Sequence, residues 1–389
     1  MHANIPFSTT RLDGLLDDAG IDVLIVTSKQ NIQYLLGGYY HFQFDYMEAI
    51  GISRYLPVFV YVKGAPDKAA YVASRNERDS VQNRTAAGYW MPPVVFGSST
   101  AVEAMTLALR HVKDVAPSTF RMGVEMSFLP LDAAEVLRKE LPHCELVEAM
   151  RPLEKLRAIK SAAELTLLRE ASERVVASMT DAVGLTRAGQ SKREIIGHLR
   201  RAELSRDMIF EYALVTLGTS LNRAPSEQRL APGDIVSLDS GGNYGGYIGD
   251  LCRMAVHGAP DGELVDLLGE IDAVQQAARA PIRAGLTGRE IYAAANEALV
   301  RSPHGKQMHF VAHGMGIVSH EAPRLTASGP IPYPADDADA PLEAGMVISI
   351  ETTLPHARGF IKLEDAIAVA PDGYQAFGDG ARGWNRIPT

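Results

Sequence analysis

The apolar positions of this chain follow two rhythms, and they change places along its length. Leu12, Leu15 and Leu16 recur at helical spacing within residues 9–20, and the run Ile21-Asp-Val-Leu-Ile-Val26 behind them predicts a buried strand. Pro57-Val-Phe-Val-Tyr-Val62 and Ala69-Ala-Tyr-Val-Ala73, separated by a Lys-Gly-Ala-Pro-Asp turn, predict a hairpin. Residues 100–112 then read as a helix, 122–126 as a strand and 131–141 as a helix. This alternation describes an α/β domain, expected over residues 1–155. Its aromatic run, Tyr39-Tyr-His-Phe-Gln-Phe-Asp-Tyr46, is read as packing in preference to pocket lining.

Beyond residue 155 the pattern repeats itself. Ser161 with Glu164 and Ser191 with Glu194 form Ser-x-x-Glu capping boxes that open two helices. A helix over 263–280 and another opened by Thr287-Gly-Arg-Glu290 form a second pair. Each pair leads to a glycine-led apolar run: Leu230-Ala-Pro-Gly-Asp-Ile-Val-Ser-Leu-Asp239 returns as Leu342-Glu-Ala-Gly-Met-Val-Ile-Ser-Ile-Glu351. Both runs predict strands that end on an acid, and side-chain alternation puts Asp239 with Ser237, and Glu351 with Ser349, on the less apolar face. A second acid follows each, Asp250 and Glu364, across segments whose Gly241, Gly242, Gly245 and Gly246, or Pro355 and Gly359, predict the reversal of a hairpin. A single acid at a strand end is usually a solvated terminus. Four acids at matching places in a duplicated unit converge on one cleft, where like charges are costly unless cations neutralise them.

Between the second helix pair and the second hairpin lies His309-Phe-Val-Ala-His313-Gly-Met-Gly-Ile-Val-Ser-His320. Imidazole serves as a metal ligand and as a proton shuttle near neutral pH. Gly314 and Gly316 are read as letting the backbone pass close to a ligand. One histidine added to four acids completes a five-ligand set for two metals.

Composition narrows the function. A formal charge of -9 over 389 residues argues against a nucleic-acid or anionic-membrane partner and for a small-molecule one. Two cysteines, Cys144 and Cys252, lack the spacing of a disulfide framework or a zinc knuckle, which fits a reducing cytoplasm. The first residues show no basic segment leading into an apolar run, and no apolar stretch approaches the roughly 20 residues of a membrane span. A cytoplasmic protein is expected.

These motifs resemble the pita-bread metallohydrolases: aminopeptidase P, prolidase, methionine aminopeptidase and the metal-free creatinase. The likeness covers residues 156–389, and more weakly a creatinase-like N-terminal domain, in Asp22-Val-Leu-Ile-Val26 and Asn31-Ile-Gln-Tyr-Leu-Leu-Gly-Gly38. It implies an α+β domain built from a duplicated helix–hairpin unit. It also implies two divalent ions (Mn, Co, Zn or Fe), with Asp239 on one, His313 and Glu351 on the other, and Asp250 and Glu364 bridging. Glu351 would also take a proton from water, His320 would hydrogen-bond the tetrahedral intermediate or departing nitrogen, and His309 would meet the substrate carboxylate or carbonyl. A homodimer is implied too, with the aromatic run a candidate to cover the partner's cleft. The expected activity is hydrolysis of a carbon–nitrogen bond in an Xaa-Pro dipeptide or related small amide. Alternatives are a non-peptide member acting on a small metabolite, as a hydrolase or a lyase, and a catalytically inactive binding module. Three departures mark the substrate shell: Asn222 where the family pattern carries histidine, Glu351-Thr-Thr where prolidases show Glu-Pro-Gly, and Lys362 where they show arginine. Lysine is a point charge without arginine's planar fork.

Overall fold

The computed structural model describes residues 4–51, 54–331 and 333–389. They form two units, Met1–Arg157 and Ala158–Thr389. In the first, Ser8 caps α1 (Thr9–Ala19), which leads into β1 (Val23–Val26), and Ser28 caps α2 (Lys29–Leu35). There follow α3 (Met47–Ile50), β2 (Val58–Val62), β3 (Ala70–Ser74), α4 (Arg78–Ala86), β4 (Val94–Ser98), α5 (Ala101–Val115), β5 (Arg121–Val124), α6 (Leu131–Glu140), β6 (Glu145–Glu148) and α7 (Met150–Ala158). The strands make one mixed sheet in the order β4-β3-β2-β1-β5-β6. Every residue of β1, β2 and β3 is buried, because apolar clusters cover both faces.

The aromatic run divides between two environments. The Tyr39 hydroxyl donates to the buried Glu77 carboxylate at 2.9 Å, so Tyr39 is a packed residue with a satisfied polar end. Phe42 and Tyr46 instead lie 60% and 57% exposed, so the packing expectation fails for them.

The second unit shows the duplication directly. Its first half is α8 (Ala162–Leu185), α9 (Lys192–Leu204), β7 (Ile209–Leu217), β8 (Ile235–Tyr244) and β9 (Tyr247–His257). Its second half is α10 (Gly262–Arg279), α11 (Gly288–Arg301), β10 (His309–Gly314), β11 (Val347–His356) and β12 (Gly359–Ala370). The capping boxes at Ser161, Ser191 and Thr287 are all formed. The six strands order as β10-β11-β12-β9-β8-β7, with β13 (Gly373–Phe377) beside β12 and β14 (Asn385–Ile387) beside β9. Each half has its own core. Leu238 of β8 and Leu251 of β9 pack with Val175 and Leu199 of the first helix pair, and Ile350 and Leu363 pack with Ile271 and Ile291 of the second.

Two expectations are corrected here. The strands do not end on their acids: Asp239 and Glu351 lie mid-strand, because Gly241 and Gly242 stay in the ladder opposite Asp250 and Gly249. Of the four glycines expected at the reversal, Gly245 and Gly246 make it, with φ of 59° and 92°. Pro355 is likewise in the ladder, opposite Phe360. Gly241 serves a close approach, since a Cβ there would sit 2.4 Å from the Tyr212 ring.

The halves meet where β9 pairs with β12, at Glu364 and Cys252. On the helix-facing side of this seam, Arg253 donates to the carbonyls of Cys252 and Glu364, each at 2.8 Å, and pairs with Asp365 at 3.1 Å. Arg279 and Arg382 face the same carboxylate. Asp365→Ala leaves buried guanidinium charge uncompensated, so it should cost about 3–5 kcal/mol. Urea unfolding measures this, and an unchanged midpoint would contradict it.

Candidate metal centre

Register places the acids in one row. Asp239 is opposite Cys252, Cys252 opposite Glu364, and Glu364 opposite Glu351. Paired residues of a sheet share a face, and residues two apart on a strand share it too. Asp250 therefore joins the row two positions from Cys252, Lys362 two from Glu364, and His313, opposite Ser349, two columns along from Glu351. All four carboxylates, His313 and Lys362 are buried. One ligand atom each from Asp239, Asp250 and Glu364 lie within 4.8 Å of one another, and the same holds for Asp250, His313 and His320.

Positive partners are unevenly shared among these charges, and Asp250 has no lysine or arginine ion pair among the described contacts. Burial pushes Asp239 up to about 6 despite the pull of Lys362, and pushes Asp250 well above the usual carboxylate range with help from Glu364 and Asp239. Burial would raise Glu364 as well, but Lys362 and His313 hold it below the usual range. Burial opposes the charge on Lys362, and Asp239, Glu351 and Glu364 outweigh it and raise its pKa well above normal. Its Nζ lies 2.7 Å from Asp239 Oδ2, 2.5 Å from Glu351 Oε2 and 2.8 Å from Glu364 Oε2. The Arg223 guanidinium is ion-paired to the same Asp239 oxygen.

The residues around His313 fit a cation. Its Nδ1 donates to the Gly314 carbonyl at 3.1 Å, which leaves Nε2 facing inward, 3.7 Å from Glu364 Oε1. That nitrogen is buried and has no hydrogen-bond partner. Ser349 Oγ donates to Glu364 Oε1 at 2.8 Å and fixes that carboxylate. His320 stacks on His313 with ring centroids 3.8 Å apart, and burial beside His313 pulls its pKa down to about 3, so it is neutral.

A cavity of about 260 Å³ opens over this face, lined by Asp239, Asp250, Glu351, Glu364, Lys362 and His320 together with Tyr212 and Arg223. His309 lines an adjoining recess of about 270 Å³, which shares Arg223 and Glu351 with it. Asn222 is not brought to either. It is exposed, and its Oδ1 accepts from the Ala224 amide at 3.0 Å, while Arg223 takes the place toward the acids. Sequence reasoning missed Arg223, whose only signal is a cation beside Asn222. Gly314 and Gly316 also serve another purpose than expected: Cβ atoms there would lie 2.3 Å from the Ala322 backbone and 2.2 Å from the Glu321 carboxylate, so the approach is to protein.

The family model described as Metallopeptidase family M24 matches residues 166–371, and that for the Creatinase/Prolidase N-terminal domain matches residues 9–159. The chain belongs to metallopeptidase family M24. It is 25% identical over 371 residues to an uncharacterized peptidase of Bacillus subtilis, covering 93% of this chain and 95% of that protein. It is 26% identical over 378 residues to a probable dipeptidase of Mycobacterium tuberculosis, covering 92% and 89%. The solved structure of an Xaa-Pro dipeptidase from Bacillus anthracis superposes with a TM-score of 0.79 at 23% identity, covering 98% of this chain and 99% of that one, which establishes the shared pita-bread fold. The chain is thus a hydrolase of a family that works with divalent metal. Among the described residues, no helix is long and apolar enough to cross a membrane.

Behind this M24 cluster, Glu203 accepts from Ser240 Oγ at 2.9 Å, and burial raises its pKa to about 8. Below the ordinary value of 4.5 both folded and unfolded states hold the proton. Between there and about 8 only the unfolded chain releases it, so stability falls as pH rises, by at most roughly 1.4 kcal/mol per pH unit, and levels off above. Glu203→Gln should remove this slope. Its urea midpoint should match the unaltered protein near pH 4.5 and exceed it increasingly up to pH 8; parallel profiles would refute the assignment.

Proposed function

We propose that this chain hydrolyses the carbon–nitrogen bond of a dipeptide-sized substrate with a divalent ion held by Asp250, His313 and Glu364. The observation that carries the reading is the buried His313 Nε2, which no hydrogen bond satisfies, beside Asp250, whose charge is opposed by burial and by Glu364 and Asp239. Peptidases and dipeptidases among its relatives, aligned over nearly the whole chain, support it. Bound Mn, Co, Zn or Fe would supply Lewis acidity toward the scissile carbonyl and lower the pKa of a water beside it. Glu351, at the junction of cavity and recess, accepts the proton that water gives up. His320, neutral and facing the cavity, donates a hydrogen bond to the oxygen that gains charge or to the departing nitrogen. His309 and Arg223 line the recess and receive a substrate carboxylate. Lys362, in place of the family's arginine, favours a second reading, a small non-peptide amide in the same pocket.

The test is a panel of Xaa-Pro dipeptides, other dipeptides and small amides, run with added Mn or Co. Removal of metal by a chelator should abolish turnover, and Asp250→Ala should lower kcat/KM by about a hundredfold or more. Full activity in both circumstances would end the proposal. Preference for a small amide over every dipeptide would move the assignment to the second reading.

A further inference from the structure

We propose that the Lys362 ammonium is the second cation of this centre, so that the chain takes up one divalent ion where its five-residue set leads one to expect two. The inference rests on the metal-dependent reading above and concerns how that metal is counted. An ammonium has three N–H donors, and Lys362 Nζ contacts one oxygen from each of three carboxylates on β8, β11 and β12. An ion held by Asp239 with Asp250 and Glu364 would have to share the carboxylates of Asp239 and Glu364 with this ammonium. Lys362 cannot yield them by swinging into solvent, because its side chain is 4% exposed. The Asp239 oxygen it holds is also held by Arg223, so that end of the row is saturated by the chain's own charges. The other end is not: His313 Nε2 makes no hydrogen bond and faces Glu364 Oε1 at 3.7 Å, and Asp250 has no lysine or arginine ion pair among the described contacts.

Charge gives the same count. With the four carboxylates ionised and His313 neutral, as metal binding requires, there are four negative charges and Lys362 and Arg223 return two, which leaves the equivalent of one divalent ion for neutrality. A second divalent ion would leave a buried excess of two positive charges, costly in this setting. The identity of residue 362 is therefore what matters. A lysine delivers a compact point charge among the oxygens, whereas arginine's wide planar fork cannot enter the space of a single ion.

Metal-free protein, prepared with chelator and dialysed, is titrated with Mn(II), with bound metal measured by equilibrium dialysis and the spin spectrum recorded. The unaltered protein should bind about one equivalent with the spectrum of an isolated ion, whereas a two-metal site binds about two with a broadened, exchange-coupled spectrum. Lys362→Met keeps the stem without the charge and should gain the second equivalent and the coupled spectrum. Asp239→Asn, a second route should Lys362→Met fail to fold, should leave the count unchanged, because Asp239 holds lysine and not metal. Two equivalents in the unaltered protein, a Lys362→Met variant that folds but stays at one, or loss of an equivalent in Asp239→Asn each overturns the inference while the metal-dependent reading stands. No uptake by any form overturns both.

Discussion

Four carboxylates buried on one face of a sheet impose a constraint that the surrounding structure answers. Two unit charges about 4 Å apart repel by roughly 4 kcal/mol even at an effective dielectric of about 20, and here several such pairs share one row. The raised pKa values of Asp239 and Asp250 register that repulsion together with burial. The answers come from every side: Lys362 and Arg223 from within the cavity wall, His313 with Nε2 turned to Glu364, and Ser349 donating to Glu364. Cys252 sits in the middle of the row, and burial beside Asp239 keeps its thiol protonated, so it adds no fifth negative charge.

Much of this was legible because the chain states it twice. The capping boxes, the glycine-led strands and the matched acids are local patterns with local causes: Ser161, Ser191 and Thr287 stand where those patterns put them, and Asp239 and Glu351 share one row although they lie mid-strand. What escaped reading depends on contacts between distant segments. Edge strands β7 and β10 carry mixed burial and no strong alternation, so their place in the sheet comes from pairing with β8 and β11. Gly241 looked like a turn residue because glycine allows both a turn and a close approach, and only the Tyr212 ring distinguishes them. Asn222 and Arg223 are adjacent, and a one-residue difference in which side chain faces inward lies below what spacing can resolve.

The comparison with M24 relatives establishes the fold and family, while the particular chemistry sits in side chains that a family pattern treats as secondary. Lys362 shares a face with the ligand row and so cannot be a neutral bystander. A residue two positions from Glu364 on the same strand points into the same space, and any change of its charge or shape alters the environment of the whole acidic row.

The seam behind the centre carries a further meaning. Asp239 and Asp250 belong to one half of the duplicated unit, and Glu351, Glu364 and His313 to the other. Arg253 reaches the carbonyls of Cys252 and Glu364 across the join, on the face away from the cavity. It acts as a calliper. The spacing between the acids of the two halves is gauged by a guanidinium that does not line the cavity, so the width of the acidic row is set from the far side of the sheet as well as by the row itself.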